Sequence, residues 1–177
     1  MTLDAYFDGS EAYIYVDAEY TRAIDSATTI QFQSSIVLSR IGERPPECRL
    51  ELLKISPGRL GIGVQFFARL VARLRSAGIQ RVTLFAAGGP DEPYNGYYTW
   101  PAFGFDLALG EDLIEAAAAA GFPATSTHEL LVRHGREGFG WWMRNGRGGE
   151  AAFELAENST HSLILSEYLR RVGVHLD

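Results

Sequence analysis

Apolar positions at intervals of three and four residues indicate a helix in the middle of the chain. They form one stripe, which consists of Val64, Phe67, Val71 and Leu74. Polar positions four residues apart, at Gln65, Arg69 and Arg73, form a separate row. This division is typical of a helix that packs on a sheet. A glycine pair precedes the pattern and Gly78 follows it, so the sequence predicts a helix over residues 61–77.

Strand-like segments lie on both sides of this helix. They cover residues 13–16, 30–41, 49–55 and 81–87. In the third segment Cys48, Leu50 and Leu52 alternate with Arg49 and Glu51, which predicts one buried and one wet face. The fourth segment is apolar on both faces, as in an interior strand. We therefore expect segments 49–55 and 81–87 to be adjacent parallel strands joined by the helix.

The last third of the chain is helical in character. Residues 111–120 are rich in alanine, and Ser126 precedes Glu129 at capping-box spacing, so a short helix is expected through Val132. Residues 135–149 read as a glycine-rich loop anchored by its tryptophans. A final helix, capped by Ser159 or Thr160, should run to Arg171. Its expected inward side chains are Leu163, Ile164 and Tyr168. The prediction is one α/β domain over 1–177, a mixed central sheet flanked by helices, with 106–177 mostly helical.

Composition narrows the class of protein further. The chain has 177 residues and a net charge of −6, which argues against a general nucleic-acid binder. Its one cysteine, Cys48, cannot form an internal disulfide, and no paired-cysteine metal pattern exists. No apolar run is long enough to span a membrane, and the N-terminus lacks a signal-peptide pattern. We expect a cytoplasmic protein without a membrane association or a metal, and the sequence leaves a homo-oligomer open.

The strongest motif is a strand, a proline turn, a glycine pair, a helix and a second strand. It reads Ile55-Ser56-Pro57, then Gly61-Ile62-Gly63, and ends on Gly104-Phe105. Over residues 50–105 this order resembles the GCN5-related N-acetyltransferase (GNAT) superfamily. The resemblance implies a GNAT-like core that binds acetyl-CoA or another acyl-CoA as co-substrate. In that family the loop and the helix N-terminus hold the diphosphate, and the next strand splays away.

The resemblance also implies roles for individual residues. The implied cofactor-binding residues are Arg59, Leu60, Gly61, Ile62, Gly63, Val64 and Asn95. The implied general base is Glu51, which would take a proton from the acceptor amine. The implied proton donor is Tyr98, with Tyr97 in reserve, because Trp100 stands where the family often has its tyrosine. The expected acceptor is a small-molecule or peptide amine.

Each of these assignments has a simpler alternative. Gly61 and Gly63 also suit a tight turn that binds nothing. Glu51 also suits the solvent face of a strand, and the aromatic residues of 95–105 also suit packing against a sheet. Beside the acyltransferase hypothesis stands a GNAT-fold binding module without activity. A third alternative is a toxin- or effector-associated domain of another activity.

Two other patterns are weaker evidence of function. The histidines, His128, His134, His161 and His175, have no metal-ligand spacing. Arginines surround the tryptophans of 135–149, a combination that can stack on single-stranded RNA. The net charge favours a solvated loop instead.

Overall fold

The fold is that of a computed structural model, which describes residues 2–8, 11–23, 29–41, 46–56 and 62–174. Within these ranges the chain forms seven strands and five helices. In chain order they are β1 (Thr2–Asp8), β2 (Glu11–Ala23), β3 (Thr29–Ile41), β4 (Glu47–Ser56), α1 (Ile62–Ser76), β5 (Arg81–Ala86), α2 (Gly96–Ala102), β6 (Asp106–Leu107), α3 (Glu111–Ala119), α4 (Thr127–Asn145), β7 (Gly149–Glu154) and α5 (Thr160–Arg171). The fold class is therefore α/β with a mixed sheet, as the sequence predicts.

The chain divides into two compact units. The first contains Met1–Thr83, Glu154–Ala156 and Leu169–Asp177. The second contains Leu84–Phe153 and Glu157–Tyr168. Both β5 and α5 begin in one unit and end in the other.

The first unit is built on a meander of antiparallel strands. β1 pairs with β2, β2 with β3, and β3 with β4, all antiparallel. β4 then pairs in parallel with the start of β5, where Glu47 lies opposite Arg81 and Arg49 opposite Thr83. Helix α1 provides the connection that a parallel pair needs. The predicted strands and the helix between the last two are thus confirmed.

The predicted apolar stripe of α1 is buried. Its members Val64, Phe67, Val71 and Leu74 are all in the core, and α1 contacts β4. Cys48 and Leu50 of β4 are buried in the same unit. The helical period of the apolar residues therefore gives the correct face of α1, because burying that face is what stabilises an amphipathic helix on a sheet.

The alternation of β4 breaks at a β-bulge. Ser35 pairs with Leu52 but its neighbour Ile36 pairs with Leu50, so Glu51 is the extra residue. After an extra residue, the side chains that follow point to the opposite faces of the sheet from those the alternation predicts. Leu52 is 45% exposed as a result, and its predicted place on the buried face is wrong.

In the second unit, β6 and β7 form an antiparallel pair. β7 is the neighbour of β5 on one side and of β6 on the other. In the register of β6 with β7, Asp106 is opposite Ala152 and Leu107 opposite Ala151. The sequence gives no evident sign of this pair, because β6 has two residues and cannot show an alternation. β5 has neighbours on both sides, as predicted, yet Phe85 is 57% exposed, so its apolar pattern is not buried on both faces.

The glycine-rich segment 135–149 is largely helical, so the predicted loop is wrong. α4 continues through a kink at Gly135, whose φ of 55° and ψ of −133° are non-helical. Glycine is favoured at such a backbone conformation. Beyond the kink, Trp141 and Trp142 are buried. Burial of these two rings stabilises the second part of α4 despite its glycines.

The predicted ends of α1, α3 and α5 are close to the observed ones. α4 begins where it is predicted to begin, but it runs past the predicted end at Val132 to Asn145. Ser126 caps α4 by accepting a hydrogen bond from Glu129 N at 3.4 Å. The Glu129 carboxylate, however, accepts from Thr125 N at 2.7 Å rather than from Ser126. In α5 the predicted inward position of Leu163 is wrong, since this side chain is 61% exposed and Leu165 is buried instead.

Candidate functional site

The implied diphosphate-binding residues lie at the start of α1. Ile62, Gly63 and Val64 are its first three residues. Their backbone N–H groups have no acceptor within the helix, because the first turn lacks preceding carbonyls. The first turn of α1 has no acidic side chain that would oppose an anion. Arg59, Leu60 and Gly61, which complete the predicted set, lie outside the described residues.

The implied general base, Glu51, is the extra residue of the β4 bulge and is exposed. A bulge redirects a side chain, and bulges are frequent beside active sites. The same exposure also suits a solvated glutamate. The alternation of residue types along β4 does not predict this bulge.

Asn95 precedes α2 and holds the position of its N-cap. The side chain is exposed and makes no capping hydrogen bond. The backbone of Asn95 is fixed through a β-bridge to Gly88. The amide therefore lies on an ordered backbone without being used to cap the helix.

The two tyrosines of α2 have different surroundings. The Tyr97 hydroxyl donates to Met143 O at 2.7 Å, and only 4% of the residue is exposed. Burial raises its pKa, and so do the nearby Tyr98 and Asp91. Tyr98 is half-buried and its ring packs edge-on against Tyr97, at 5.1 Å between centroids. The Tyr97 proton therefore already has a structural acceptor in the Met143 carbonyl.

Trp100, which stands where the family often has its tyrosine, is a packing residue. Its ring contacts Phe103 and Phe105 edge-on, with centroids 5.8 and 5.3 Å apart. An indole N–H does not ionise in the range of a general acid. Any proton transfer from α2 must therefore use a tyrosine.

α2 is tied to α4 by two hydrogen bonds in opposite directions. Tyr97 donates to the backbone of α4, and Trp142 Nε1 of α4 donates to Tyr97 O at 2.8 Å. The ring centroids of Tyr97 and Trp142 are 6.5 Å apart. This clamp consists of Tyr97, Trp142 and the Met143 carbonyl, and it fixes the helix that carries Tyr98.

Two histidines that are far apart in sequence meet at the end of α2. His128 Nε2 and His161 Nδ1 each lie 2.9 Å from the carbonyl oxygen of Gly104. Both nitrogens must carry a proton to donate, which sets the tautomer of each ring when neutral. The sequence offers no signal for this pair, because only the tertiary fold brings residues 33 positions apart together.

A carboxylate completes the surroundings of His128. Asp106 Oδ1 accepts hydrogen bonds from His128 N at 2.9 Å and Thr127 Oγ1 at 3.2 Å. Asp106 Oδ2 is 3.9 Å from His128 Nδ1. Asp106 therefore contacts both the backbone and the ring of His128. The arrangement holds the junction of α2, β6 and α4.

Comparisons with protein-family models, curated proteins and solved structures found no match to this chain. Over the described ranges, no group of three or more His, Cys, Asp or Glu side chains is placed to hold a metal ion. In the same part of the chain, every helix is too short or too polar to cross a membrane.

Proposed function

We propose that this protein is a GNAT-like acyltransferase that moves an acyl group from acyl-CoA to an amine. The observation that supports this most is the parallel pair β4–β5 around α1. In this pair Glu47, Cys48 and Arg49 of β4 lie opposite Arg81, Val82 and Thr83 of β5. Parallel strands joined by a helix are what the resemblance implies.

The co-substrate would bind through its diphosphate at the start of α1. Backbone N–H groups and the positive end of the helix dipole favour an anion there. Gly63 suits this role because the absence of a side chain lets phosphate oxygens approach the backbone. Asn95 would contact the pantetheine arm.

The chemistry would be direct attack by the amine nitrogen on the thioester carbonyl. A carbon–nitrogen bond forms, the carbon–sulfur bond breaks, and CoA leaves as its thiolate. Glu51 would accept the proton that the amine loses, and Tyr98 would donate a proton to the thiolate. Each role is worth about 10² to 10⁴ in rate in typical enzymes.

The first experiment is calorimetric titration with CoA, with desulfo-CoA as a control for the thiol. Binding in the micromolar range supports a CoA site, and no binding at millimolar CoA contradicts the proposal. The second is release of CoA from acetyl-CoA in the presence of small amines and lysine-containing peptides. There Tyr98→Phe should lower turnover at least about tenfold while CoA affinity stays within a few-fold. Tyr97→Phe is the matched comparison and should act mainly on stability.

A binding module with the same fold is the second candidate. Two observations favour it: Trp100 is a packing residue, and the Tyr97 proton is engaged by Met143. Binding of CoA without acylation of any amine would support this alternative. Full activity of both tyrosine variants on a confirmed acceptor would show instead that proton donation by α2 is not needed.

A further inference from the structure

α2 contains a proline where a helix normally makes a hydrogen bond. Pro101 is the sixth of its seven residues and is fully buried. In an α-helix the N–H of residue 101 would donate to the carbonyl oxygen of residue 97. Proline has no N–H, and its ring crowds that same carbonyl. The sequence therefore removes the regular backbone donor to Tyr97 O.

Trp142 supplies a donor at this position. Its indole Nε1 donates to Tyr97 O at 2.8 Å, and only 1% of Trp142 is exposed. A buried carbonyl without a donor is costly, so a buried indole N–H aimed at it has a clear energetic role. The Tyr97 hydroxyl in turn bonds to Met143 O, next to Trp142 in sequence. The two bonds restrain both the backbone and the side chain of Tyr97.

Tyr98 follows Tyr97 directly and depends on the same turn. Its backbone N–H donates to Asn95 O at 3.2 Å, and the N–H of Thr99 donates to the same oxygen at 3.0 Å. The Tyr98 ring rests edge-on against the clamped ring of Tyr97. A shift of the Tyr97 carbonyl would therefore move both the backbone and the ring of Tyr98.

We propose that Trp142 is a positioning residue for Tyr98, acting by replacing the N–H that Pro101 lacks. The catalytic meaning of this inference rests on the proposed function, in which Tyr98 donates a proton. The structural part, that Trp142 fixes the turn and ring of Tyr98, stands independently of any activity.

The experiment compares four variants with the wild type: Trp142→Phe, Pro101→Ala, the double variant, and Trp141→Phe. Trp141 is the control because it is buried on the same helix, whereas the indole that donates to Tyr97 O belongs to Trp142. Hydrogen exchange of the Tyr98 and Thr99 amides and the NMR ring resonances of Tyr98 are measured. Turnover of acetyl-CoA with amines and affinity for CoA are measured in parallel.

We expect Trp142→Phe to speed exchange at both amides at least about tenfold, as loss of a buried hydrogen bond implies. The Tyr98 ring resonances should shift, and Trp141→Phe should change neither measurement. Pro101→Ala restores a backbone N–H for Tyr97 O, so the double variant should return to near wild-type exchange. If the faster exchange came only from the cavity that Phe leaves at position 142, Pro101→Ala would not reverse it.

Unchanged exchange and ring resonances in Trp142→Phe would overturn the proposal, and so would a failure of Pro101→Ala to rescue them. On the kinetic side, kcat should fall in Trp142→Phe while the Kd for CoA stays within about twofold. Wild-type kcat in a variant with altered exchange would overturn the positioning role. If the wild type turns over no acetyl-CoA, the proposed function fails, and the exchange and ring measurements still decide whether Trp142 positions Tyr98.

Discussion

The imidazole rings of His128 and His161 lie 4.3 Å apart and share one acceptor, the carbonyl oxygen of Gly104. A carbonyl oxygen has two lone pairs and can accept both N–H groups. His128 comes from the start of α4 and His161 from the start of α5. One backbone atom thus connects both helix starts to the end of α2 within the second unit.

The shared acceptor predicts that the two histidines are energetically coupled. Replacing either histidine by Phe keeps an aromatic ring and leaves Gly104 O with one donor. Each single variant should therefore lower the free energy of unfolding by about 1 kcal/mol. The double variant leaves this carbonyl without an imidazole donor. Its cost should therefore exceed the sum of the singles by about 1 kcal/mol. Urea unfolding of all four proteins measures the coupling.

His134 provides the control for this cycle. It bonds to Pro123 O and shares no acceptor with His128. The effects of His134→Phe and His128→Phe should therefore add. Additive effects for His128 with His161 as well would mean that the two donors act independently.

Gly104 is predicted to be intolerant of any side chain. Its φ is +98°, and a Cβ would lie 2.3 Å from His161 O. Gly121 has a similar φ of +86° but open space around the same position. Gly121→Ala should thus lower the free energy of unfolding only by the strain of a left-handed backbone, roughly 1 to 2 kcal/mol. Gly104→Ala should cost at least about 2 kcal/mol more by chemical denaturation, because the clash is added. Equal costs would contradict the contact with His161.

Periodicity predicts those parts of the fold that bury one regular face. α1 is the clearest example, because its apolar stripe has one period and one sheet to pack on. The high glycine content of residues 135–149 is the reason that a loop is wrongly predicted there. Gly135 turns the chain, and a Cβ on Gly138 would lie 2.6 Å from both Leu130 O and His134 Cβ. These glycines permit a kink and a close approach inside α4 rather than a loop.

The candidate site was predictable only where it follows from local order along the chain. The start of α1 and the tyrosines of α2 belong to such local patterns. The bulge at Glu51 depends on the register with β3, which no single segment contains. The indole of Trp142 reaches Tyr97 across 45 residues. Contacts of this kind depend on tertiary packing, so the sequence indicates the residues but not their partners.

Gly146 is predicted to be required for packing rather than for its backbone conformation. Its φ of −71° suits any residue, but a Cβ would lie 2.5 Å from Trp142 Cδ2. Gly146→Ala should cost about 1 to 3 kcal/mol, as expected for overpacking. Gly149→Ala is the control, since its Cβ would meet only Leu107 Cδ2 at 3.9 Å. Thermal unfolding measures both, and a Gly146→Ala protein as stable as the control would contradict the tight fit of the indole.

Cys48 predicts a loss of stability at alkaline pH. Burial raises the pKa of its thiol from 9.0 to about 12. Above pH 9 the unfolded chain loses this proton while the folded protein keeps it, so the folded state binds one proton more. Unfolding therefore becomes easier by about 1.4 kcal/mol per pH unit as pH rises from 9 towards 12. The stabilisation is fully present below pH 9.

Cys48→Ala separates this effect from the other groups that titrate in the same range. The stability difference between wild type and variant should be constant from pH 7 to about 8.5 and should shrink steadily above pH 9. The buried thiol should also react with a disulfide reagent only as fast as the protein unfolds, since the thiolate is the reactive form. Parallel stability curves for the two proteins up to pH 11, or rapid reaction of the thiol in the native protein, would show that Cys48 is accessible to solvent.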